Sequence, residues 1–198
     1  MHTSSLEHMG RLVAQYLDPA QPIDVLDIGS WDKNGSYKQF FQRPTWTYTG
    51  VDLSPGNNVD VVLTSPYRLP FASNSVDLVI SGQAFEHIEY FWLTWLEIVR
   101  VVKPGGQIFL IAPSRGKEHR YPVDCWRYYP DGYGALAKYG AIELREVHTD
   151  WTPHEASDSA LWGDTVGVFR KPVFPFWQEA KQRLRYLLSQ KLWPGDNV

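Results

Sequence analysis

Two apolar runs that each end beside an acidic residue carry the most informative chemistry of the chain. The first run ends in Asp27-Ile28-Gly29-Ser30, and the second ends in Gly50-Val51-Asp52-Leu53. The polar turn at 31–36 separates them, an order typical of a strand, a glycine-containing loop, a short helix and a second strand. In a parallel sheet this order brings the loop and Asp52 together at the carboxyl ends of neighbouring strands. A carboxylate there accepts hydrogen bonds from ribose hydroxyls, each worth about 1.5–3 kcal/mol.

The composition of the loop indicates which nucleoside ligand it accepts. Dinucleotide sites use G-x-G-x-x-G, because the pyrophosphate lies against bare backbone at a helix N-terminus. Here Trp31 replaces the middle glycine, and Asp32 adds negative charge where the pyrophosphate would lie. A ligand with an adenosine end and a positively charged centre fits better. The alternative is that Gly29 and Gly35 are ordinary turn glycines.

Four segments, in order, resemble the motifs of one enzyme family. Residues 25–29 and 50–54 resemble its cofactor and acidic ribose motifs. Residues 69–71, 75–81 and 85–88 are similar to "LPF…FDLVIS" followed by "LEHI", and residues 98–106 are similar to "R-x-LKPGG". The chain therefore resembles class I S-adenosylmethionine-dependent methyltransferases, of the small type found beside surface-polysaccharide and natural-product genes. The resemblance covers residues 20–150.

The resemblance implies S-adenosylmethionine as cofactor and S-adenosylhomocysteine as product. Asp52 would hold the ribose, and Gly29 with its neighbours would form the floor beneath the methionine part. Ser65 stands where the family often has an acidic residue that reaches the adenine amine. The expected cofactor contacts are Asp27, Ile28, Gly29, Ser30, Gly35, Asp52, Leu53, Ser65, Pro66, Ser81, Gln83 and His87.

Alternating strands and helices predict the scaffold that positions these residues. We expect strands at 23–29, 46–53, 59–64, 76–81, 107–113, 142–149 and 162–170, with helices at 6–17, 86–102 and 130–139. This pattern predicts an α/β fold with a doubly wound, Rossmann-like, mostly parallel sheet; the family implies seven strands, the last one antiparallel. Residues 54–58 leave no room for a crossover helix, so we expect an exposed sheet edge that the N-terminal helix or a second subunit covers.

The segment 114–130 leaves the fifth strand and is predicted to be the specificity loop of a methyltransferase domain at 1–172. Its basic excess favours an anionic acceptor, because Arg binds such groups in a bidentate way. A solvated surface loop with salt bridges is the alternative. The expected acceptor contacts are Arg115, Arg120, Tyr121, Asp124, Trp126 and Arg127.

The expected chemistry is in-line methyl transfer, for which positioning supplies about 7–11 kcal/mol. A hydroxyl acceptor also needs a base, and His119 and His154 are the candidates. His148, Asp150, His154 and Glu155 offer metal ligands, but the run lacks helical H-E-x-x-H spacing and we expect no metal. The acceptor is expected to be a small molecule or glycan, methylated on oxygen. An NAD-dependent oxidoreductase and a non-catalytic binding module are the alternatives.

The overall composition of the chain indicates which cellular compartment and which kinds of partner to expect. The net charge of −3 argues against nucleic-acid binding, and the single Cys125 excludes an internal disulfide. No apolar run reaches membrane-spanning length and no signal peptide is evident, so we expect a cytoplasmic protein. The tail at 173–198 reads as a basic amphipathic helix with Trp177, Leu184, Leu187, Leu188 and Trp193 on its apolar side. It could pack on its own domain, form a homodimer contact or lie on an anionic membrane.

Overall fold

Seven strands form one sheet in a computed structural model that describes residues 2–152 and 159–191. The strands are β1 (Ile23–Ile28), β2 (Trp46–Asp52), β3 (Val61–Val62), β4 (Val76–Gly82), β5 (Val102–Pro113), β6 (Glu143–Thr149) and β7 (Asp164–Arg170). Their order is β3-β2-β1-β4-β5-β7-β6, and β7 runs antiparallel to both of its neighbours. The predicted doubly wound sheet with an antiparallel last strand is confirmed.

In the described part of the chain, five α-helices flank the sheet: α1 (Thr3–Tyr16), α2 (Phe91–Val101), α3 (Pro130–Gly140), α4 (Ser159–Trp162) and α5 (Phe176–Lys191). Two separate apolar clusters fill the space on either side. One joins Met9 and Leu12 of α1 to Phe109 and Val168. The other joins Trp95 of α2 and its neighbours to the opposite face of the same strands. The sheet is therefore the middle layer of three.

The helix expected at 86–102 is wrong at its start, since Phe85–His87 form a 3₁₀ turn and α2 begins at Phe91. Two carbonyls that a continuous helix would use accept bonds from the loop after β5 instead. The Cys125 amide donates to the Glu86 carbonyl at 2.8 Å, and the Trp126 indole donates to the Ile88 carbonyl at 3.0 Å. Tertiary bonds thus replace the first helical turn.

The edge strand β3 is shorter than the predicted 59–64. The Asp60 side chain and amide both bond to Gly50, at 2.7 and 2.8 Å, which leaves only Val61 and Val62 in the ladder. No helix lies among residues 53–60, as predicted, and Val62 is 49% exposed. Of the two alternatives for covering this edge, α1 is wrong, because α1 packs over the face of β5 and β7, and a second subunit stays a prediction.

Two other strand boundaries differ from expectation. β5 begins at Val102 and not at 107, because Gly105 and Gly106 exchange backbone bonds with Lys171 just beyond β7. β7 begins at Asp164 and not at 162, because Trp162 ends α4 and Gly163 adopts a φ of +53°.

The motif residues of α2 hold the fold together. The buried carboxylate of Glu97 accepts the Leu69 amide at 2.7 Å and the Arg100 guanidinium at 2.8 Å. Arg100 also donates to the carbonyls of Leu69 and Phe71, at 2.9 and 2.7 Å. These bonds fix the "LPF" turn on α2, so the arginine of the "R-x-LKPGG" motif has a structural role.

Helix α5 packs on the domain through its polar side. Gln182 donates to the Gly140 carbonyl at 3.2 Å, and Arg185 donates to the Tyr139 carbonyl at 2.7 Å. Its large apolar side chains are exposed: Trp177, Leu184, Leu187 and Leu188. Among the described helices none is both long and apolar enough to span a bilayer. Helix α5 therefore contacts the rest of the domain. The domain boundary at residue 172 stays a prediction.

Candidate functional site

The loop after β1 lies at the carboxyl edge of the sheet and requires its first glycine. Gly29 has a φ of +79°, and a Cβ there would stand 2.4 Å from the Cβ of Ala84. The amides of Gly29 and Ser30 both donate to the Val51 carbonyl, at 2.9 and 3.1 Å. Because a side chain cannot fit at Gly29, the loop stays close to the tips of β2 and β4.

Asp52 ends β2 with its carboxylate beside this loop. One oxygen accepts the Trp31 amide at 3.3 Å, and the other accepts the Ser54 amide at 3.1 Å. The carboxylate is half-buried, and each oxygen keeps a second lone pair for a ligand hydroxyl. The neighbouring Leu53 is exposed and offers an apolar surface. The predicted loop and carboxylate therefore do come together.

Asp27 lies beneath the loop and begins a chain of hydrogen bonds, through Tyr48 and Asn58, that reaches the loop backbone. It is 2% exposed and accepts a hydrogen bond from the Tyr48 hydroxyl. Asn58 donates to the Tyr48 oxygen at 2.9 Å and to the Ser30 carbonyl at 3.0 Å, while Ser30 Oγ donates to the Asn58 carbonyl at 2.9 Å. Burial, with a smaller contribution from the charge of Asp52, raises the pKa of Asp27 to about 7 against the lowering effect of the Tyr48 hydrogen bond.

Tyr48 and Asn58 are contributors that sequence reasoning missed. The only signal in the sequence is an asparagine in a turn, at a position that proves to have a φ of +67°. Gly35 also serves the loop, since its φ is +120° and its amide donates to Asp32 Oδ1 at 2.8 Å.

Asp164 ties the amino terminus to the same edge of the sheet. This buried carboxylate accepts hydrogen bonds from His2 at 2.9 Å, Ser4 at 3.0 Å and Gln83 at 2.9 Å. The Ser81 hydroxyl donates to the Ile28 carbonyl at 2.9 Å and joins β4 to β1. Of the predicted cofactor contacts, Ser81 and Gln83 thus lie beside the loop, and their contact with the cofactor stays a prediction. Sequence reasoning gave Asp164 no role in holding this edge.

Ser65 and Pro66 belong to the segment between β3 and β4. The buried Ser65 oxygen accepts the Tyr67 amide at 3.2 Å, and the Pro66 carbonyl accepts the Thr94 hydroxyl at 2.8 Å. Ser65 thus bonds within this segment and Pro66 bonds to α2, and their contact with adenine stays a prediction.

Arg127 and Asp124 pair with each other in the specificity loop. Two guanidinium nitrogens donate to the two Asp124 oxygens, at 2.6 and 2.9 Å, and also to the carbonyls of Trp126 and Lys117. Asp124 accepts the His119 amide at 2.7 Å as well. The Arg127 guanidinium holds the pKa of Asp124 well below its usual range. These groups shape the loop, and their contact with an acceptor stays a prediction.

The other predicted acceptor contacts lie nearer to solvent. Arg120 forms an exposed ion pair with Glu118 at 2.6 Å, and Arg115 lies 5.4 Å from the ring centre of Trp151. The Trp126 indole donates to the carbonyls of Ile88 and Glu89, which anchors the loop to the start of α2.

Lys33 connects the specificity loop to the loop after β1. Its ammonium lies 3.9 Å from the ring centre of Trp31 and 4.4 Å from that of Tyr121. The predicted approach of residues 114–130 to the cofactor loop is therefore present, with a cation between two aromatic rings.

His119 lies in a cluster with His87 and Glu86. The two imidazole rings are 4.8 Å apart, and His87 Nε2 is 3.6 Å from Glu86 Oε1. Burial raises the pKa of Glu86 to about 8 and lowers that of His87. Sequence reasoning gave Glu86 no role, because a "LEHI" motif does not reveal that its carboxylate is buried.

The remaining described histidines and carboxylates considered as a base or as metal ligands do not belong to this cluster. His148 is on the edge strand β6, 3.4 Å from Glu146 and beside His8, so it is separated from β5 by β7. His154 and Glu155 fall outside the described residues. The two described members of the set considered as metal ligands both lie beside His8, with Asp150 at 3.1 Å and the His148 ring centre at 5.8 Å, and a role for the set is not tested.

Comparison with known proteins identifies the family. A family model described as a methyltransferase domain matches residues 26–110. An uncharacterized methyltransferase of Mycobacterium tuberculosis is 30% identical, over 91% of this chain and 78% of its own length. One from Mycolicibacterium gilvum is 29% identical, over 74% of this chain, and this chain spans only 62% of its length.

Solved structures agree with this assignment at the level of the fold. The Burkholderia thailandensis 1,6-didemethyltoxoflavin-N1-methyltransferase superposes with a TM-score of 0.66 at 15% identity, covering 86% of this chain and 79% of that one. A SAM-dependent methyltransferase of Aquifex aeolicus gives 0.60 at 16% identity, covering 86% and 94%. Taken with the family model and the mycobacterial relative, these findings show that the chain belongs to the class I, S-adenosylmethionine-dependent methyltransferases.

Proposed function

We propose that the protein methylates an oxygen of an anionic small-molecule or glycan acceptor, with S-adenosylmethionine bound at the tips of β1, β2 and β4. The observation that carries the cofactor site is the Asp52 carboxylate, which two backbone amides hold beside the Gly29 loop. Its free lone pairs suit the two ribose hydroxyls. The glycine, whose Cβ would collide with Ala84, lets the cofactor approach the backbone.

The charge of the loop supports an anionic acceptor. Arg127 already donates to Asp124 and to backbone carbonyls, so we expect Lys33 to be the cation that attracts an acceptor. Lys33 lies between the Trp31 and Tyr121 rings, at the junction of the two loops. A carboxylate or phosphate there would face an ammonium, and the rings would pack on an apolar sugar face.

The protein's part in the reaction is positioning and proton removal. The sulfonium supplies an activated methyl group, so the site has to hold the acceptor oxygen in line with it. A hydroxyl acceptor must also lose its proton, and the His119 end of the crevice is where we place that step. The narrower likeness to enzymes encoded beside polysaccharide genes supports a glycan but stays a prediction.

Calorimetry with S-adenosylmethionine, S-adenosylhomocysteine and NAD tests the cofactor assignment. We expect binding of the first two and none of NAD. NAD binding would favour an oxidoreductase. Cofactor binding without transfer of a labelled methyl group to any carboxylated or phosphorylated sugar would favour a binding module. Equal labelling of matched neutral sugars would contradict the anionic acceptor.

A further inference from the structure

Glu86, His87 and His119 bring three metal-binding atoms together at the acceptor side of the site. One carboxylate oxygen and two imidazole nitrogens lie within 4.8 Å of one another. Glu86 and His87 are on the turn after β4, and His119 is on the loop after β5. Within residues 2–152 and 159–191, no second group of three His, Cys, Asp or Glu residues meets so closely.

The hydrogen bonds of the two histidines leave one nitrogen of each available. His87 Nδ1 is 2.6 Å from the Val123 carbonyl, which can only accept, so Nδ1 carries the proton. His119 Nδ1 is 3.3 Å from the Lys117 carbonyl and 3.4 Å from the Asp124 carboxylate, which are also acceptors. Both Nε2 atoms therefore keep a lone pair. Metal-bound histidines are usually held in this way, by a carbonyl or carboxylate on the other nitrogen.

The surroundings of the Glu86 carboxylate are a second, independent observation that points to a bound cation. Its side chain is fully buried, and neither carboxylate oxygen has a hydrogen-bond partner among the described residues. The carboxylates of Asp124 and Asp164 disfavour its charge. Its own backbone amide and the Arg127 guanidinium favour that charge, but Arg127 is already paired with Asp124. A buried carboxylate with so little compensation is costly, and a bound cation removes that cost.

We propose that Glu86, His87 and His119 bind a divalent transition-metal ion of the zinc class, with coordination positions left open for the methyl acceptor. Two imidazoles and one carboxylate are a known donor set for such ions, and three protein ligands are typical of sites that keep an open position. Bonds of about 2.1 Å place neighbouring ligand atoms about 3.0–3.4 Å apart, so the partly exposed His119 would move inward by up to about 1.4–1.8 Å from the present separation of at most 4.8 Å.

This inference rests on the proposed function and deepens it. The ion would hold an acceptor oxygen and lower the pKa of its hydroxyl, acting as a Lewis acid. An ion occupies the His119 Nε2 lone pair that a general base would use. The two roles of His119 therefore exclude each other, and metal binding decides between them. The expectation of no metal, made from sequence, would then be overturned.

The test is titration of the full chain, freed of metal with a chelator, with Co²⁺ followed by its visible absorption and with Zn²⁺ by calorimetry. We expect one ion per chain. Glu86→Gln and His119→Ala should each weaken binding by at least about tenfold. His148→Ala, which removes a partly buried histidine on β6, should leave it unchanged. Thermal unfolding of each metal-free variant confirms that it is folded.

Absence of binding in the native chain would overturn the inference, as would native-like binding by folded Glu86→Gln and His119→Ala. A loss caused by His148→Ala alone would also overturn it. S-adenosylhomocysteine binding is measured on the same samples without metal. Cofactor binding without metal binding refutes only this inference. Metal binding without cofactor binding supports it and refutes the proposed cofactor site.

Discussion

Replacing Asp52 by alanine removes the carboxylate proposed to hold the ribose. Each of its oxygens already accepts one amide, from Trp31 at 3.3 Å or Ser54 at 3.1 Å, so each has room for one ribose hydroxyl. A charge-assisted hydrogen bond is worth about 1.5–3 kcal/mol. Because Asp52 is half-exposed, we take that range for the pair together, which corresponds to about 10- to 150-fold weaker binding.

Calorimetric titration with S-adenosylhomocysteine measures this change. Asp24→Ala is the matched control, because Asp24 is an exposed aspartate at the opposite end of the sheet, where it contacts Lys103 at 3.3 Å. The control should bind like the native chain. The ribose assignment would be refuted if the Asp52→Ala variant has the same unfolding temperature as the native chain and still binds within about threefold of the native affinity.

Three further predictions concern the groups around the site. Burial raises the folded-state pKa of Asp27 from 3.8 to about 7. The stability that the protonated side chain contributes is therefore lost as the pH rises through that range. Asp27→Asn should flatten the pH dependence of the free energy of urea unfolding between about pH 4 and 7, and an unchanged slope would contradict this. Arg127→Ala leaves Asp124 without its cation. It should lower the free energy of unfolding by about 1–3 kcal/mol and speed proteolysis within residues 114–130. Unaltered cleavage in that segment would show that the Arg127–Asp124 pair does not hold the loop. Asp164→Asn should speed amide hydrogen exchange at residues 3–8, because it weakens the bonds to His2 and Ser4, and equal protection would count against that docking role.

The sheet was predictable because its strands have a local signature. Apolar runs followed by glycine or acidic residues located β1, β2 and β4 to within one residue, and the family resemblance supplied the antiparallel β7. The start of α2 was not predictable, since residues 86–90 have helical periodicity. Their conformation depends on bonds from Cys125 and Trp126, which lie more than thirty residues away along the chain.

The placement of the Gly29 loop and of Asp52 was predictable, because backbone constraints decide it. Gly29 and Asp52 follow from the strand-loop-strand order alone. Glu86, Asn58 and Asp164 were missed because their importance comes from burial and from partners distant in sequence. Arg127 has the residue type of an anion ligand, but the sequence does not reveal that Asp124 occupies its donors.

The central claim is that the crevice at the tips of β1 and β2 binds an adenosine sulfonium. A crystal structure of the chain with S-adenosylhomocysteine tests it most directly. We expect the ribose hydroxyls within hydrogen-bonding distance of Asp52 and the amino-acid part beside Gly29. Density for the ligand at another surface, or none beside Asp52 at a concentration that saturates binding in solution, would contradict the claim.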